Sequence, residues 1–453
     1  MGKVFIETVG CPKNHEDSER MAGLLTEAGH GIVFDPDEAD AIVVNTCGFI
    51  EAAKRESIEA IFDYVPYKEK GARLIVTGCL SQRYPEELAA ELPEADAFFG
   101  VNDYEKLPDA VSALTGPPRP PGGRTVPKTP KTPDVPKTPG PHTAPRLALS
   151  PRYSSYLKIA EGCSNNCAYC VIPGIRGPYR SAPMERLAAE AERLAAEGCK
   201  ELILIAQDVS RYGRDLYGKP ALADLLRGLC AAEGAKGIEW VRLLYCHEEY
   251  VTAELIEAIA SEERIVKYID LPLQHISDRL LKSMRRVSTQ KSIKDTIKRL
   301  RAAIPGIAIR TTFITGLPGE TEKDFEELYA FAEETRFDRL GVFAYSPEEG
   351  TDAAAMPDRV DPETAEARRD ALMRLQQRIS LENNERLVGS VLDVIVCGVD
   401  EDGALLGRTR SDAPDIDCGV IFSAPDCNDM IGTITKVRVT DAMDYDLVGE
   451  RVL

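Results

Sequence analysis

The alternation of apolar and polar positions divides the chain into stretches of different period. In residues 1–114 the apolar runs KVFIETVGC, AIVVNTC and RLIVTGC read as strands, and each ends on a cysteine: Cys11, Cys47 and Cys79. Between them, residues 16–28 and 51–70 place apolar side chains at helical spacing. Strand alternating with helix implies a parallel sheet with right-handed crossovers. The three strands then run the same way, and side chains just beyond their carboxyl ends are delivered to the edge where open parallel sheets bind ligands.

Six more strand patterns follow: YLKIAEG, ELILIAQD, EWVRLLY, YIDLPL, AIRTTFITG and RLGVFAYS, with helical segments after the first five. Each unit spans about 32 residues, the size of a strand plus a helix. Six units are too few for the closed eight-fold barrel, so a partial parallel barrel is expected. Residues 362–386 predict one long connector helix with Leu372, Leu375 and Ile379 on a single face. Beyond it the pattern shortens to β-branched runs broken by Gly, Asp and Pro, as in a small antiparallel barrel. Residues 115–152 hold 12 of the 30 prolines, including PKTPKTPDVPKTPGP, and predict an extended spacer. The expected layout is α/β and multidomain: an amino-terminal parallel-sheet domain (1–114), the spacer (115–152), a partial (β/α)6 barrel with its connector (153–385), and a small β-barrel (386–453).

Composition narrows the chemistry. The chain has 453 residues and a net charge of −19, with 43% hydrophobic and 28% charged residues, which excludes global disorder and a single small module. MGKVFIETVGCPKN lacks the order of an export signal, and no apolar run approaches the roughly 18 residues of a membrane helix, so a cytoplasmic protein is expected. Twelve cysteines in a reducing compartment favour metal ligation over disulfides.

Two sets of cysteines carry that chemistry. Cys163, Cys167 and Cys170 stand at CxxxCxxC spacing directly after the first strand of the partial barrel. Three thiolates suit a four-iron cluster with one iron left open, whereas a structural zinc site wants a fourth ligand that the local segment does not supply. Cys11, Cys47 and Cys79 match no short metal motif, and a lone strand-end cysteine is usually a small buried hydrophobe; equivalent positions on one sheet favour convergence of their sulfurs into a second three-thiolate site over that reading.

The motifs GCPKNHEDSERM, NTCGFIEAAKRESI, TGCLSQRY, YLKIAEGCSNNCAYCVIPGIRGPYRSAP, AQDVSRYG, YIDLPLQH, MRR, IRTTFITGLPGETE and GVFAYSPEEGT together resemble the radical S-adenosylmethionine methylthiotransferases. The resemblance covers nearly the whole chain outside the proline-rich segment, and the last domain is similar to the TRAM domain of that family. It implies two [4Fe-4S] clusters, a radical-generating one on Cys163, Cys167 and Cys170 and an auxiliary one on Cys11, Cys47 and Cys79. It implies S-adenosylmethionine as source of both radical and methyl group, with Tyr169 against its adenine. By position, Gln207 and Asp208 at the end of the second barrel strand and Gly316 at the end of the fifth are expected cofactor contacts, with helix capping by Asp208 and a plain Gly-Pro turn as competing readings. Implied partners are a substrate and a cellular one-electron reductant. Such cofactors carry the hard chemistry, so no Ser-His-Asp or paired-carboxylate constellation is needed.

Two substrates occur in that family: the β-carbon of an aspartate in a small-subunit ribosomal protein, and an adenosine of transfer RNA. GCPKN, AQD and YSPEEGT are most similar to the protein-modifying branch. Charge points the same way, because residues 386–453 contain six basic and 13 acidic side chains, a poor platform for phosphates and a suitable one for a basic ribosomal protein. The acidic residues 412–417 are the expected contact, and RNA contact is expected to be secondary at most. The +6 charge of residues 115–152 could touch ribosomal RNA, but a solvated spacer is the favoured reading. Cys199, Cys230, Cys246, Cys397, Cys418 and Cys427 have no ligand spacing, and His247 and His275 read as structural histidines.

Overall fold

In a computed structural model the chain is described over residues 2–116, 145–424 and 430–452. Two compact units emerge. The first comprises Met1–Ser150, Glu161–Asn165 and Cys170–Arg180; the second comprises Pro151–Ala160, Asn166–Tyr169 and Ser181–Leu453.

The first unit is built on a five-stranded sheet. Its spatial order is Gly31–Ile32, Lys3–Thr8, Ala41–Thr46, Arg73–Gly78 and Ala97–Phe99, and every neighbouring pair is parallel. The three cysteine-terminated strands are the central ones. Alternate side chains of Ala41–Thr46 and Arg73–Gly78 feed opposite cores, Val43 and Ile75 one side, Ile42, Val44, Leu74 and Val76 the other. A parallel sheet covered on both faces needs such continuous apolar runs. The first helix runs Pro12–Glu27 and begins directly after Cys11, with proline in the first turn, where its missing N–H costs nothing. The stretch expected as one helix over 51–70 breaks into Glu51–Asp63 and Pro66–Glu69, the second opening at a proline that cannot continue a helix.

Most of the proline-rich segment lies outside the described residues. Its end does not behave as a spacer: Leu147 N donates to Glu19 O (3.0 Å), and Arg146 pairs with the Glu19 carboxylate. Gly23 is what lets this return segment approach, since a Cβ there would stand 2.3 Å from Pro145 O.

In the second unit the six barrel strands are Ser154–Lys158, Glu201–Ile205, Trp240–Leu243, Tyr268–Gln274, Ala308–Thr315 and Arg339–Ala344. They form two parallel three-stranded halves, joined where Val241 bridges Ile265. The connector helix Pro362–Glu385 buries Leu372, Leu375 and Ile379 as the periodicity requires. The last domain closes as a five-stranded barrel, antiparallel except for the parallel pair Val420–Ser423 and Leu447–Arg451.

Ion pairs bind that small barrel to the starting ends of the larger one. Glu201 lies between Arg242 and Arg408; Asp417 faces Arg310 (3.3 Å) and accepts from Tyr268 Oη (2.7 Å); Asp412 pairs with Arg339. Both aspartate side chains are almost wholly buried. The expectation that residues 412–417 greet a basic partner is therefore corrected: Asp412 and Asp417 satisfy arginines of the partial barrel, and Asp415 between them is exposed.

Candidate functional site

Two of the three cysteines that end strands of the first sheet, Cys11 and Cys79, are each placed by a preceding glycine. Gly10 and Gly78, just before Cys11 and Cys79, take φ of +103° and +102°, open to glycine without strain. A Cβ on Gly10 would lie 2.7 Å from Cys47 Cβ, and one on Gly78 would lie 2.4 Å from Thr46 O. The strand ends can thus close on one another, and the sulfurs converge. Cys11 Sγ and Cys79 Sγ are each 4.0 Å from Asn14 Oδ1. Asn14, fully buried, is fixed by donating from Nδ2 to Val9 O (2.8 Å) and Thr46 O (3.1 Å).

The electrostatics suit a cationic metal group. Burial and the neighbouring Cys11 and Cys79 push the Cys47 thiol up to about 12. Burial also raises Cys79, against the pull of Arg176. Thiols such as Cys47 and Cys79 that resist ionisation are relieved by a thiophilic metal, which deprotonates its ligands outright. Among the described residues no three His, Cys, Asp or Glu side chains are close enough to hold a single ion. In a four-iron cube each thiolate binds a different iron, so the donor set fits a cluster better than a lone ion.

Arg176 completes this pocket. It ends the short helix Ile172–Arg176 and is fully paired: Nη2 is 3.3 Å from Cys79 Sγ and donates to Asn14 Oδ1 (2.9 Å), while Nη1 donates to Asp17 Oδ2 (2.8 Å) and Glu161 (3.3 Å). Tyr104 Oη donates to the same Asp17 oxygen (3.1 Å).

The CxxxCxxC loop follows the first barrel strand. Cys163 and Cys170 belong to the first unit and Cys167 to the second. Cys163 N donates to Gly177 O (3.0 Å), and Gly162 before it, at φ +81°, admits Pro178 O where a Cβ would stand 2.2 Å away. Around Cys167 stand Arg286, Tyr169, Glu249 and Asp208. Burial raises its thiol, and Arg286 with a hydrogen bond from Tyr169 pulls the other way. Arg286 hydrogen-bonds Tyr169 and is buried, yet its Nε and Nη1 have no partner among the described residues.

Of the other expected cofactor contacts, Gln207 and Asp208 follow the strand Glu201–Ile205. Asp208 is fully buried and accepts from Ser210 Oγ (2.6 Å), and its side chain does not cap the turn Val209–Arg211. Gly316 (φ +77°) follows Ala308–Thr315; its Cα faces Ala365, whose Cβ would be 2.2 Å from a Cβ added here, and its N donates to the Glu320 carboxylate. The connector helix thus also requires a glycine there.

Arg176 and Arg286 escaped the sequence reading although GIRGPYR and MRR were noticed. An arginine is normally exposed, and nothing local marks one whose acceptors are distant in sequence.

Residues 3–100 match the family described as uncharacterized protein family UPF0004, residues 157–332 the radical SAM superfamily, and residues 388–452 the TRAM domain. The chain is 48% identical over 452 residues to the ribosomal protein uS12 methylthiotransferase RimO of Geobacter sulfurreducens, covering 99% of this chain and 98% of that one. It is 47% identical to the protein of the same name from Lachnoclostridium phytofermentans, covering 99% of each. Among solved structures it is similar in fold to the radical S-adenosylmethionine methyltransferase TsrM of Kitasatospora setae, with a TM-score of 0.55, 14% identity, and coverage of 86% of this chain and 80% of that one.

Proposed function

Because the chain belongs to the RimO family of radical S-adenosylmethionine methylthiotransferases, we propose that it converts a C–H bond at the β-carbon of an aspartate in ribosomal protein uS12 to C–S–CH3. The observation that carries this reading is the convergence of Cys11, Cys47 and Cys79 at the strand ends of one sheet, in a chain that also carries CxxxCxxC after the first strand of a partial barrel. A radical S-adenosylmethionine enzyme needs only the second set. The first supplies the place from which sulfur can be delivered.

We assign Cys163, Cys167 and Cys170 to the radical cluster and Cys11, Cys47 and Cys79 to the auxiliary one, each leaving one iron open. With S-adenosylmethionine bound, these groups supply a hydrogen-abstracting radical and a sulfur that a second S-adenosylmethionine methylates. The protein's own part is to hold, orient and exclude water. Asn14 and the glycines beside Cys11 and Cys79 fix where three sulfurs stand. Tyr169, Gln207, Asp208 and Gly316 are assigned to the S-adenosylmethionine side, where Arg286 offers two buried donors for an acceptor on the bound cofactor or cluster. Cys163 and Asp208 are buried, which keeps bulk water off these residues.

The substrate is a basic small-subunit ribosomal protein, electrons come from a cellular one-electron reductant, and RNA contact is secondary. No helix among the described residues is long and apolar enough to cross a membrane. The test is mass spectrometry of uS12 from cells with and without this gene. A methylthio increment on one aspartate that vanishes with the gene is expected; an unmodified uS12 together with a gene-dependent methylthioadenosine in transfer RNA would overturn the reading.

A further inference from the structure

We propose that Arg176 is the positioning residue of the auxiliary site: its guanidinium holds the sulfur of Cys79 by a hydrogen bond and sets the reduction potential of the cluster bound there. The inference rests on assigning Cys11, Cys47 and Cys79 to a cluster.

The residues around Arg176 give it one charge and several tasks. Its two terminal nitrogens reach Cys79 Sγ, Asn14 Oδ1, Asp17 Oδ2 and Glu161, so the planar fork is used on both sides. The side chain is 2% exposed, and Asp17 beside it is 0% exposed. In so dry a place the hydrogen bond to sulfur is strong and little screened. Asp17, itself held by Tyr104 Oη, anchors one nitrogen, which aims the other at the sulfur. A cluster on three thiolates becomes more negative on reduction, and a fixed cation donating to one of those sulfurs favours the reduced form. Arg176 thus raises the potential, while the Asp17 and Glu161 carboxylates hold it in place.

Its position in the chain adds a second consequence. Arg176 is carried by the helix Ile172–Arg176, which begins just past Cys170. Ile175 and Val171 of that segment pack in the same core as Cys79, Met21 and Tyr104. The stretch of chain that follows the last radical-cluster cysteine therefore also furnishes the auxiliary site with its cation.

The experiment uses the full chain with Cys163→Ala, Cys167→Ala and Cys170→Ala, reconstituted with iron and sulfide so that only the auxiliary site can fill. Iron content comes first: absence of a cluster overturns the assignment of the trio, whatever Arg176 does. With a cluster present, protein labelled with nitrogen-15 arginine is reduced and its hyperfine spectrum recorded. Coupling from an arginine nitrogen to the cluster is expected, and it must vanish in Arg176→Lys, which carries no labelled arginine there. Absence of any coupling in the parent overturns the proposal without any substitution at Arg176. The midpoint potential then separates tuning from mere support. Arg176→Gln combined with Asp17→Asn, which removes the Arg176–Asp17 pair and leaves Glu161 without its arginine, is expected to lower the reduction equilibrium constant about tenfold, about 59 mV for one electron. Arg176→Lys should recover part of that shift. An unchanged potential in a variant with full iron content overturns the tuning role.

Discussion

Arg242 Nε donates to Glu201 Oε1 over 2.7 Å with both side chains fully buried, and Arg408 from the terminal barrel takes the other carboxylate oxygen. Burial alone would raise the Glu201 pKa, but the two guanidiniums outweigh it and hold the carboxyl below its ordinary range. The domains are therefore joined through a charge that neither can leave unpaired. Glu201→Ala strands two buried arginines and should cost about 3–5 kcal/mol. Chemical denaturation reads this directly, and a loss below about 1 kcal/mol would show that water reaches the arginines.

The acidic character of the terminal barrel separates into two roles. Asp412 hydrogen-bonds Arg339 and accepts from Thr409 Oγ1 (2.6 Å), whereas Asp415 is exposed. Asp412→Ala should destabilise by about 3 kcal/mol or more through the uncompensated Arg339. Asp415→Lys should change stability by less than about 0.5 kcal/mol, as surface substitutions do. If Asp412→Ala unfolded at the same denaturant concentration as the parent while losing affinity for uS12, the aspartate would be a contact residue after all.

The two cysteine sets should fail differently. Alanine at Cys163, Cys167 or Cys170 is expected to abolish formation of 5′-deoxyadenosine. Alanine at Cys11, Cys47 or Cys79 is expected to leave that cleavage running while no methylthio product forms. Iron per chain should fall by about half in either case, from about eight to about four. Product formation by a Cys47→Ala protein would remove the auxiliary site from the reaction.

How far the sequence foretold this depends on range. The six barrel strands were legible because each is a buried apolar run flanked by polar helix, and the convergence of Cys11, Cys47 and Cys79 followed from strand direction alone. The strand Gly31–Ile32 was not, having too few residues for any period to show. The first helix was placed four residues late because its opening turn, Pro12 to His15, is polar; much of its buried surface is Asn14, Glu16, Asp17, Ser18, Glu19 and Arg20. Those residues are buried by partners that local pattern cannot see: Arg176 lies 159 positions from Asp17, and Arg146 lies 127 from Glu19. The same blindness turned Asp412 and Asp417 into surface charges. Counting acids assumes solvent, and the arginines that remove them from solvent belong to strands far upstream.

His275 was read as a satisfied structural histidine, and half of that holds. It follows the strand Tyr268–Gln274; its Nδ1 accepts from Ser277 N (3.0 Å), while Nε2 is buried without a partner among the described residues. Burial lowers its pKa to about 4, with the nearby Asp324 pulling upward and Arg279 and Arg368 downward. The folded state therefore binds the proton less well than the unfolded chain, whose histidine titrates near 6.5. Stability from this group is fully present above pH 6.5 and is lost as pH falls from there toward 4, by about 3 kcal/mol. In His275→Gln, which can still accept from Ser277 N but does not titrate, the slope of unfolding free energy against pH should flatten across that window. Denaturant midpoints of both proteins at pH 7, 5.5 and 4.5 make the comparison; parallel curves would mean that the parent's acid sensitivity arises elsewhere.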